Sequence, residues 1–440
     1  MKQSFPSLSR LAVTALLIFA PALLLAQSGA PAPAHAASAA TTNLTWEQVK
    51  SNFEAANPAL RADALSVEEM KAAEVTAFLR PNPQFAFSTD GTQIAPSNGV
   101  WQPLTGTQYQ SNLSYLHERD RKRELRQQSA KEGTQIAAAQ HEDLKRILEF
   151  NLRSAFIQTL QAKAILELAQ ADLAYYDKII AISRDRFRAG DIALIDLDRI
   201  ELLRVQYEAE LQSALVNLRT AKIQLLQMLN NRTPVEQFDV TGAFEFSEVI
   251  KPLDDFRQSA LDARPDLRSA LEAVQQAQTN HKLAEANGST DPTLSGWYTY
   301  NPSFQNPNAE QTLGLSISIP LRIFDRNQGE KQRTQIDIDR NRQLSEAARA
   351  QVFGDVDSAY AQVESNIALL KPYKAQYKNQ ALRVRETVTY SYQHGGASLL
   401  DFLNAQSDCR QVELAYLQLI GSYLTAAGQL NLAVGREVLQ

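Results

Sequence analysis

Two aspartates sit six residues beyond a glycine in near-copies of one segment. The first is FRAGDIALIDL (187–197), with Gly190 and Asp196; the second is YQHGGASLLDF (392–402), with Gly395 and Asp401. Leu194 answers Leu399 at the same offset of 205. A carboxylate just past a glycine turn can stabilise the positive end of a helix that starts there, by about 0.3–1 kcal/mol. Repeated around a symmetric opening, it can also form a ring of negative charge that attracts cations. Neither role breaks a covalent bond, and the groups that would do so are not assembled. The five histidines (His35, His117, His141, His281, His394) are scattered, with no His-x-x-x-His pair or attendant carboxylate cluster, so no metal site is expected. Cys409 is the only cysteine, which excludes an intramolecular disulfide and a cysteine metal cluster. It reads as a small buried apolar residue. No Ser-His-Asp set, phosphate loop or paired-carboxylate pocket appears, so neither catalytic residues nor a cofactor are expected.

The 440 residues are 21% charged with net charge -5, and no basic surplus or motif points to nucleic acid. Lys2 and Arg10 precede the apolar run from Leu11 to Ala26, and small residues with an Ala34-His35-Ala36 site follow. That is the anatomy of a secretory signal peptide over 1–36, and it predicts export. Beyond residue 40 no apolar run of 18 residues spans a bilayer as a helix.

The glycine turn is one landmark of a longer repeat. Asn57-Pro58 answers Arg264-Pro265, and Asn82-Pro83 answers Asp291-Pro292, at offsets of 207 and 209. Such constancy points to duplication, with repeats over 37–235 and 236–440 meeting at a Pro- and Gly-bearing junction. Each repeat predicts a helix (46–80; 253–288), then two strands. The alternating stretches QFAFSTD, TQYQSNLSYL, TLSGWYTYN and QTLGLSISI carry the period-two strand signal. A long helix follows (117–188, on the order of 105 Å; 326–393, interrupted at Pro372), then the glycine turn and a returning helix (197–230; 402–435).

Phe402, Ala405, Cys409, Val412, Tyr416, Leu419, Tyr423, Ala426, Leu430 and Ala433 alternate steps of three and four. The offset of 205 reproduces this ladder from Leu197 to Met228 with one departure, Arg204. Such a heptad seam packs each returning helix along another, as in a coiled coil. The glycines are then tips of antiparallel helical hairpins, where a left-handed exit favours glycine.

Four strands of about 9–11 residues have the length of membrane-spanning β-strands, and Trp101, Tyr109, Tyr115, Trp297, Tyr298 and Tyr300 suit bilayer interfaces. Four strands cannot close a barrel, and an open edge in lipid leaves backbone groups unpaired. Oligomerisation is therefore expected, with two, three or four copies supplying 8, 12 or 16 strands. HERDRKRELR (117–126) stands where strand becomes helix. It reads either as a headgroup boundary with arginines on lipid phosphates or as a solvated helix start.

The ordered set NPAL, RPNPQF, RAGDIALIDLDRI, ALDARPDLRSALEAVQQA, DPTLSGWYTY, SISIPLRIFDRNQGE and GGASLLDFLNAQ resembles the TolC family of outer-membrane efflux proteins across essentially the whole mature chain. The resemblance implies a mainly α fold with a small transmembrane β part. Its unit is a homotrimer whose subunits together form a 12-stranded β-barrel in outer-membrane lipid and a periplasmic α-barrel. It implies an exit duct working with a periplasmic adaptor and an inner-membrane transporter. The adaptor-docking tips would be Arg188, Gly190, Leu194 and Asp196 in the first hairpin and Gly395 and Leu399 in the second. Asp401 would line the periplasmic aperture. Asn404 stands where some relatives carry a second acid, which argues against a double acidic ring. The rival reading is a soluble periplasmic coiled-coil adaptor or scaffold, although such adaptors have one hairpin flanked by lipoyl and barrel domains.

Overall fold

A computed structural model describes residues 42–302 and 309–439. The expected leader over 1–36 lies outside the described residues. In chain order the elements are β1 (Thr42–Leu44), α1 (Trp46–Ala56), α2 (Pro58–Phe78), β2 (Gln84–Asp90), β3 (Gln108–Leu116), α3 (Lys122–Ala189) and α4 (Leu194–Met228). Then come β4 (Phe238–Val240), α5 (Leu253–Ala263), α6 (Pro265–Asn287), β5 (Thr293–Tyr300), β6 (Gln311–Ser318), α7 (Gln328–Pro372), α8 (Lys378–Gln393) and α9 (Leu399–Val434).

The single helices expected over 46–80 and 253–288 are each two helices. A proline disfavours helical backbone in the residue before it, and Asn57 and Arg264 are both extended, at ψ 119° and 121°. Pro58 and Pro265 then take the first helical position, where no N–H is needed. Both break residues do the same second job. Asn57 Nδ2 donates to the Met228 carbonyl at 3.2 Å, and Arg264 Nη1 donates to the Ala433 carbonyl at 3.3 Å. Each break is thereby tied to the end of its own returning helix.

Helix α3 runs unbroken for 68 residues, about 100 Å. Its counterpart is divided as Pro372 predicts. Proline lacks the N–H that the helix ladder requires and crowds the preceding turn, and Tyr373–Tyr377 forms a π-helical turn between α7 and α8. The ladder on α9 is the packed face: Phe402, Ala405, Cys409, Tyr423, Ala426, Leu430 and Ala433 are buried. Burial pushes the Cys409 thiol up to about 11. On α4 the matching Leu197, Ile200, Tyr207, Ala214, Ala221 and Leu225 are buried. Arg204 instead turns outward to pair with Asp177 and Glu208. The junction after α4 is more than a linker, because β4 pairs in parallel with β1 and buries Phe238 and Val240 against Val49, Phe53 and Phe156.

Strands β2-β3-β5-β6 form one antiparallel sheet in that order. β3 has the expected length at 9 residues, while β2, β5 and β6 are shorter than expected, at 7, 8 and 8. Pro83, Pro292 and Pro320 stand just outside three strand ends and cannot donate to the ladder. Residues directly opposite in an antiparallel pair share a face. The pairs Phe85↔Leu113, Leu294↔Ile317, Gly296↔Leu315 and Tyr298↔Leu313 therefore place the apolar side chains on one face. The other face carries Gln110, Asn112, Ser114, Ser295, Thr299, Thr312 and Ser316. Leu313 and Leu315 are 78% and 82% exposed, so nothing among the described residues covers the apolar face at these positions. Trp297 departs from the expected aromatic belt. Its parity puts it on the polar face, where it lies over Gly314 so closely that a Cβ there would sit 2.2 Å from the ring.

Candidate functional site

The two glycine turns have the same geometry. Gly190 and Gly395 are left-handed at φ 85° and 75°. In the first tip Gly190 N–H donates to Phe187 O and Asp191 N–H to Arg186 O, at 3.0 and 2.9 Å. In the second, Gly395 N–H donates to Tyr392 O and Gly396 N–H to Ser391 O, at 3.2 and 2.7 Å. Bonds of this reach satisfy the last carbonyls of the outgoing helix and turn the chain back. A Cβ at either glycine would meet nothing within 4 Å, so the requirement is purely conformational. Gly395→Val is expected to cost the tip about 1–2 kcal/mol. Hydrogen exchange would read this as loss of protection confined to 390–400, with the sheet unchanged.

The starts of the returning helices differ. Ser398 caps α9: its Oγ accepts from Asp401 N–H at 3.1 Å, while Asp401 Oδ2 accepts from Ser398 N–H at 3.2 Å and from Ser398 Oγ at 2.7 Å. The Ser398 hydroxyl, then its backbone N–H, hold the exposed Asp401 carboxyl below the usual carboxylate range. Asp401 is thus the third helical residue of a reciprocal box, not the first residue of the helix. At the equivalent start of α4 the cap position is Ala193, which makes no side-chain cap bond. Asp196 is not the cap that its equivalence to Asp401 suggested, because alanine has no hydroxyl with which to complete the box. Asn404 lies exposed one turn beyond Asp401.

Arg188 is exposed and bonded to Asp185 at 3.1 Å. Leu399 tucks against the core formed by Tyr176, Ile200, Tyr392 and Phe402, whereas Leu194 stays exposed. The residues next to these leucines, Ile195 and Leu400, are both exposed. The 205 offset pairs them and was the signal that could have found them.

The family model for outer membrane efflux proteins matches residues 256–436. Over 340 residues the chain is 24% identical to outer membrane protein TolC of Salmonella enteritidis, spanning 73% of this chain and 68% of that protein. It is 23% identical over 406 residues to the cobalt-zinc-cadmium resistance protein CzcC of Cupriavidus metallidurans, spanning 89% of this chain and 90% of that one. Its fold matches the solved structure of CusC with a TM-score of 0.76 at 17% identity, covering 90% of this chain and 93% of that chain. Residues 256–436 thus carry the outer membrane efflux protein signature, and the chain as a whole is similar to TolC-family channels in sequence and fold. It is an outer-membrane exit duct that extends into the periplasm, and the TolC family is one of channels rather than enzymes.

Within this TolC-family fold the two hairpins are joined near their tips by polar contacts that sequence reasoning did not single out. Arg186 donates to the Tyr392 carbonyl at 2.9 Å and lies over its ring. Gln406 donates to Thr389 Oγ1 at 3.0 Å, and Tyr175 reaches the same hydroxyl at 3.1 Å. Arg410 of α9 pairs with Glu210 of α4 and reaches Asp172 of α3 at 3.5 Å. Burial, only partly offset by Arg410, pushes the Asp172 carboxyl up to about 6. The placement of α9 beside α3 and α4 is what brings these charges, far apart in sequence, together.

Proposed function

We propose that the chain works as a homotrimer, a 12-stranded barrel in outer-membrane lipid continued by a helical tube, receiving cargo from an inner-membrane transporter through a periplasmic adaptor. The observation that carries this reading is an unpartnered face on α4. Within the chain, α9 uses the side away from its seam to pack against α3: Arg410 reaches Asp172, Gly421 sits against Gln161, and Gly428 against Phe150. The equivalent α4 residues are Val205, Val216 and Ile223, which are 60%, 61% and 48% exposed. An apolar stripe left bare where its repeat-mate is packed calls for the matching surface of a second copy. A head-to-tail contact of this kind generates a ring when its rotation closes. The open edges β2 and β6 make the same demand on the sheet. The exposed apolar sheet face weighs against a soluble scaffold, for which such a surface is an aggregation hazard.

In this reading residues 37–235 and 236–440 are repeats supplying two quasi-equivalent hairpins. The tips, with Arg188, Gly190, Leu194, Asp196, Gly395 and Leu399, form the adaptor-docking surface, to which Ile195 and Leu400 add exposed apolar contacts. Asp401 faces the periplasmic aperture with Asn404 beside it, so each copy contributes one carboxylate.

Planar-bilayer recording tests both the duct and the aperture. The purified protein is expected to insert and conduct. Asp401→Asn is expected to change single-channel conductance or divalent-cation block severalfold, and Asp196→Asn much less. Asparagine retains an oxygen to accept from Ser398, so charge is separated from helix capping. No conductance from correctly folded protein would refute the duct. Identical records for wild type and Asp401→Asn would reduce Asp401 to its place in the capping box.

A further inference from the structure

The segment between β3 and α3 has a feature that helix initiation does not require. Asp120 and Arg121 are both left-handed, at φ 55° and 57°, immediately before α3 begins. At the corresponding start of α7 the residue is Asn327, also left-handed at φ 62°. Asparagine adopts that conformation readily and arginine does not. The second copy thus starts its helix from a single left-handed residue, an asparagine, without placing arginine there. Strained backbone held in place by its surroundings points to a use for the side chain it carries.

The strained pair opens onto a cavity of about 460 Å³ whose lining includes Arg80, Tyr115, His117, Arg119, Arg121 and Arg123. The lining acids are largely engaged: Glu118 is held in a two-bond pair by Arg126, and Glu124 by Arg123. Arg80, Arg119 and Arg121 have no carboxylate within 4.0 Å among the described residues, and Asp120 is the one lining acid without a cation at that distance. Tyr115 belongs at once to the cavity and to the apolar face of the sheet, where it pairs with Leu294. The apolar face therefore runs directly into a surplus of guanidinium groups. Planar guanidinium forks match phosphate oxygens in charge and geometry.

We propose that this cavity binds the phosphate of a phospholipid headgroup in the periplasmic leaflet of the outer membrane, with the acyl chains lying against the apolar sheet face. The site rests on the outer-membrane reading above. Its source is a lipid rather than free phosphate, because the apolar surface that would seat acyl chains is continuous with the arginines. The lipid would fix the depth of the sheet in the bilayer by holding the strand–helix junction at the headgroup level.

The test uses the full chain purified in detergent, stripped of lipid and incubated with phosphatidylglycerol, with retained phospholipid counted per chain by native mass spectrometry. Wild type is expected to retain phospholipid, and the triple variant Arg80→Gln/Arg119→Gln/Arg121→Gln to retain at least fivefold less. Arg322→Gln/Arg326→Gln at the other junction should retain the wild-type amount. Inorganic phosphate at tenfold excess should not displace the lipid. Equal retention by a folded triple variant overturns the site, as does full displacement by inorganic phosphate, which would make it a free-phosphate site. If the triple variant does not fold, Arg121→Asn alone, which relieves the strain, must still lower retention at least twofold. Outer-membrane fractionation of each variant is scored separately, so loss of the lipid site is distinguished from failure of the membrane reading.

Discussion

Val216→Glu is expected to abolish the assembled ring while leaving the single chain folded. Val216 lies on the solvent side of α4, away from the seam that buries Ala214 and Ala221, so the substitution disturbs no buried cluster among the described residues. Its repeat-mate on α9, Gly421, lies so near Gln161 that a Cβ there would come within 2.4 Å of the amide. The quasi-equivalent contact between copies should be similarly dry and close. Burying a valine side chain contributes about 1.5–3 kcal/mol, and an unpaired carboxylate in an apolar contact costs several kcal/mol more. A closed trimer would incur that loss at each of three interfaces. Chemical crosslinking and light scattering in detergent should move from trimer to monomer, with helical content unchanged by circular dichroism. Val205→Glu should do the same, whereas Val216→Leu should assemble normally. A Val216→Glu protein that remains trimeric would place the subunit interface on another face.

The second large effect is at Arg264, where the substitution to alanine is expected to destabilise the chain by about 3–5 kcal/mol. The guanidinium is buried and donates to both oxygens of Asp266, at 3.0 and 2.6 Å, and to Asp355 Oδ2 at 2.8 Å. With its bond to the Ala433 carbonyl it ties the start of α6 to α7 and to the end of α9. Alanine would take the guanidinium donors from two carboxylates and a carbonyl, so that of the side chains Asp355 keeps Gln351 alone and Asp266 the more distant Arg146 at 3.9 Å. The urea midpoint should fall with little change in slope. Removing both acids as well should restore part of the loss, since an unpaired buried charge costs more than none.

The same cluster sets an acid limit. Burial alone would raise the Asp266 carboxyl, but the hydrogen bonds and charge of Arg264 outweigh it and hold the group below its usual value. A depressed carboxylate adds stability above its unfolded pKa, roughly 4, and loses it as pH falls through the lower folded value. The advantage of wild type over Arg264→Ala should therefore be full above about pH 4 and shrink below it. A constant difference down to pH 2 would mean that packing, not charge, accounts for Arg264.

Features that depend on neighbours along the chain were legible before folding was considered. Period-two alternation located all four strands of the sheet. The three-four ladder located the packed faces of α4 and α9, because residues at that spacing share one side of a helix. The two glycines located both tips, because an αL exit excludes most other residues, and Pro372 located the π turn. Features that depend on distant partners emerged with the folded chain. That α9 packs its Arg410, Gly421 and Gly428 face against α3 while the matching Val205, Val216 and Ile223 of α4 stay bare could not be read from either helix, because which face meets a neighbour depends on how the hairpins are placed. The Asp172–Arg410–Glu210 link and the hold of Arg264 on Asp355 join residues far apart in sequence. A charge reveals its partner only when packing excludes water and brings the two within hydrogen-bond reach.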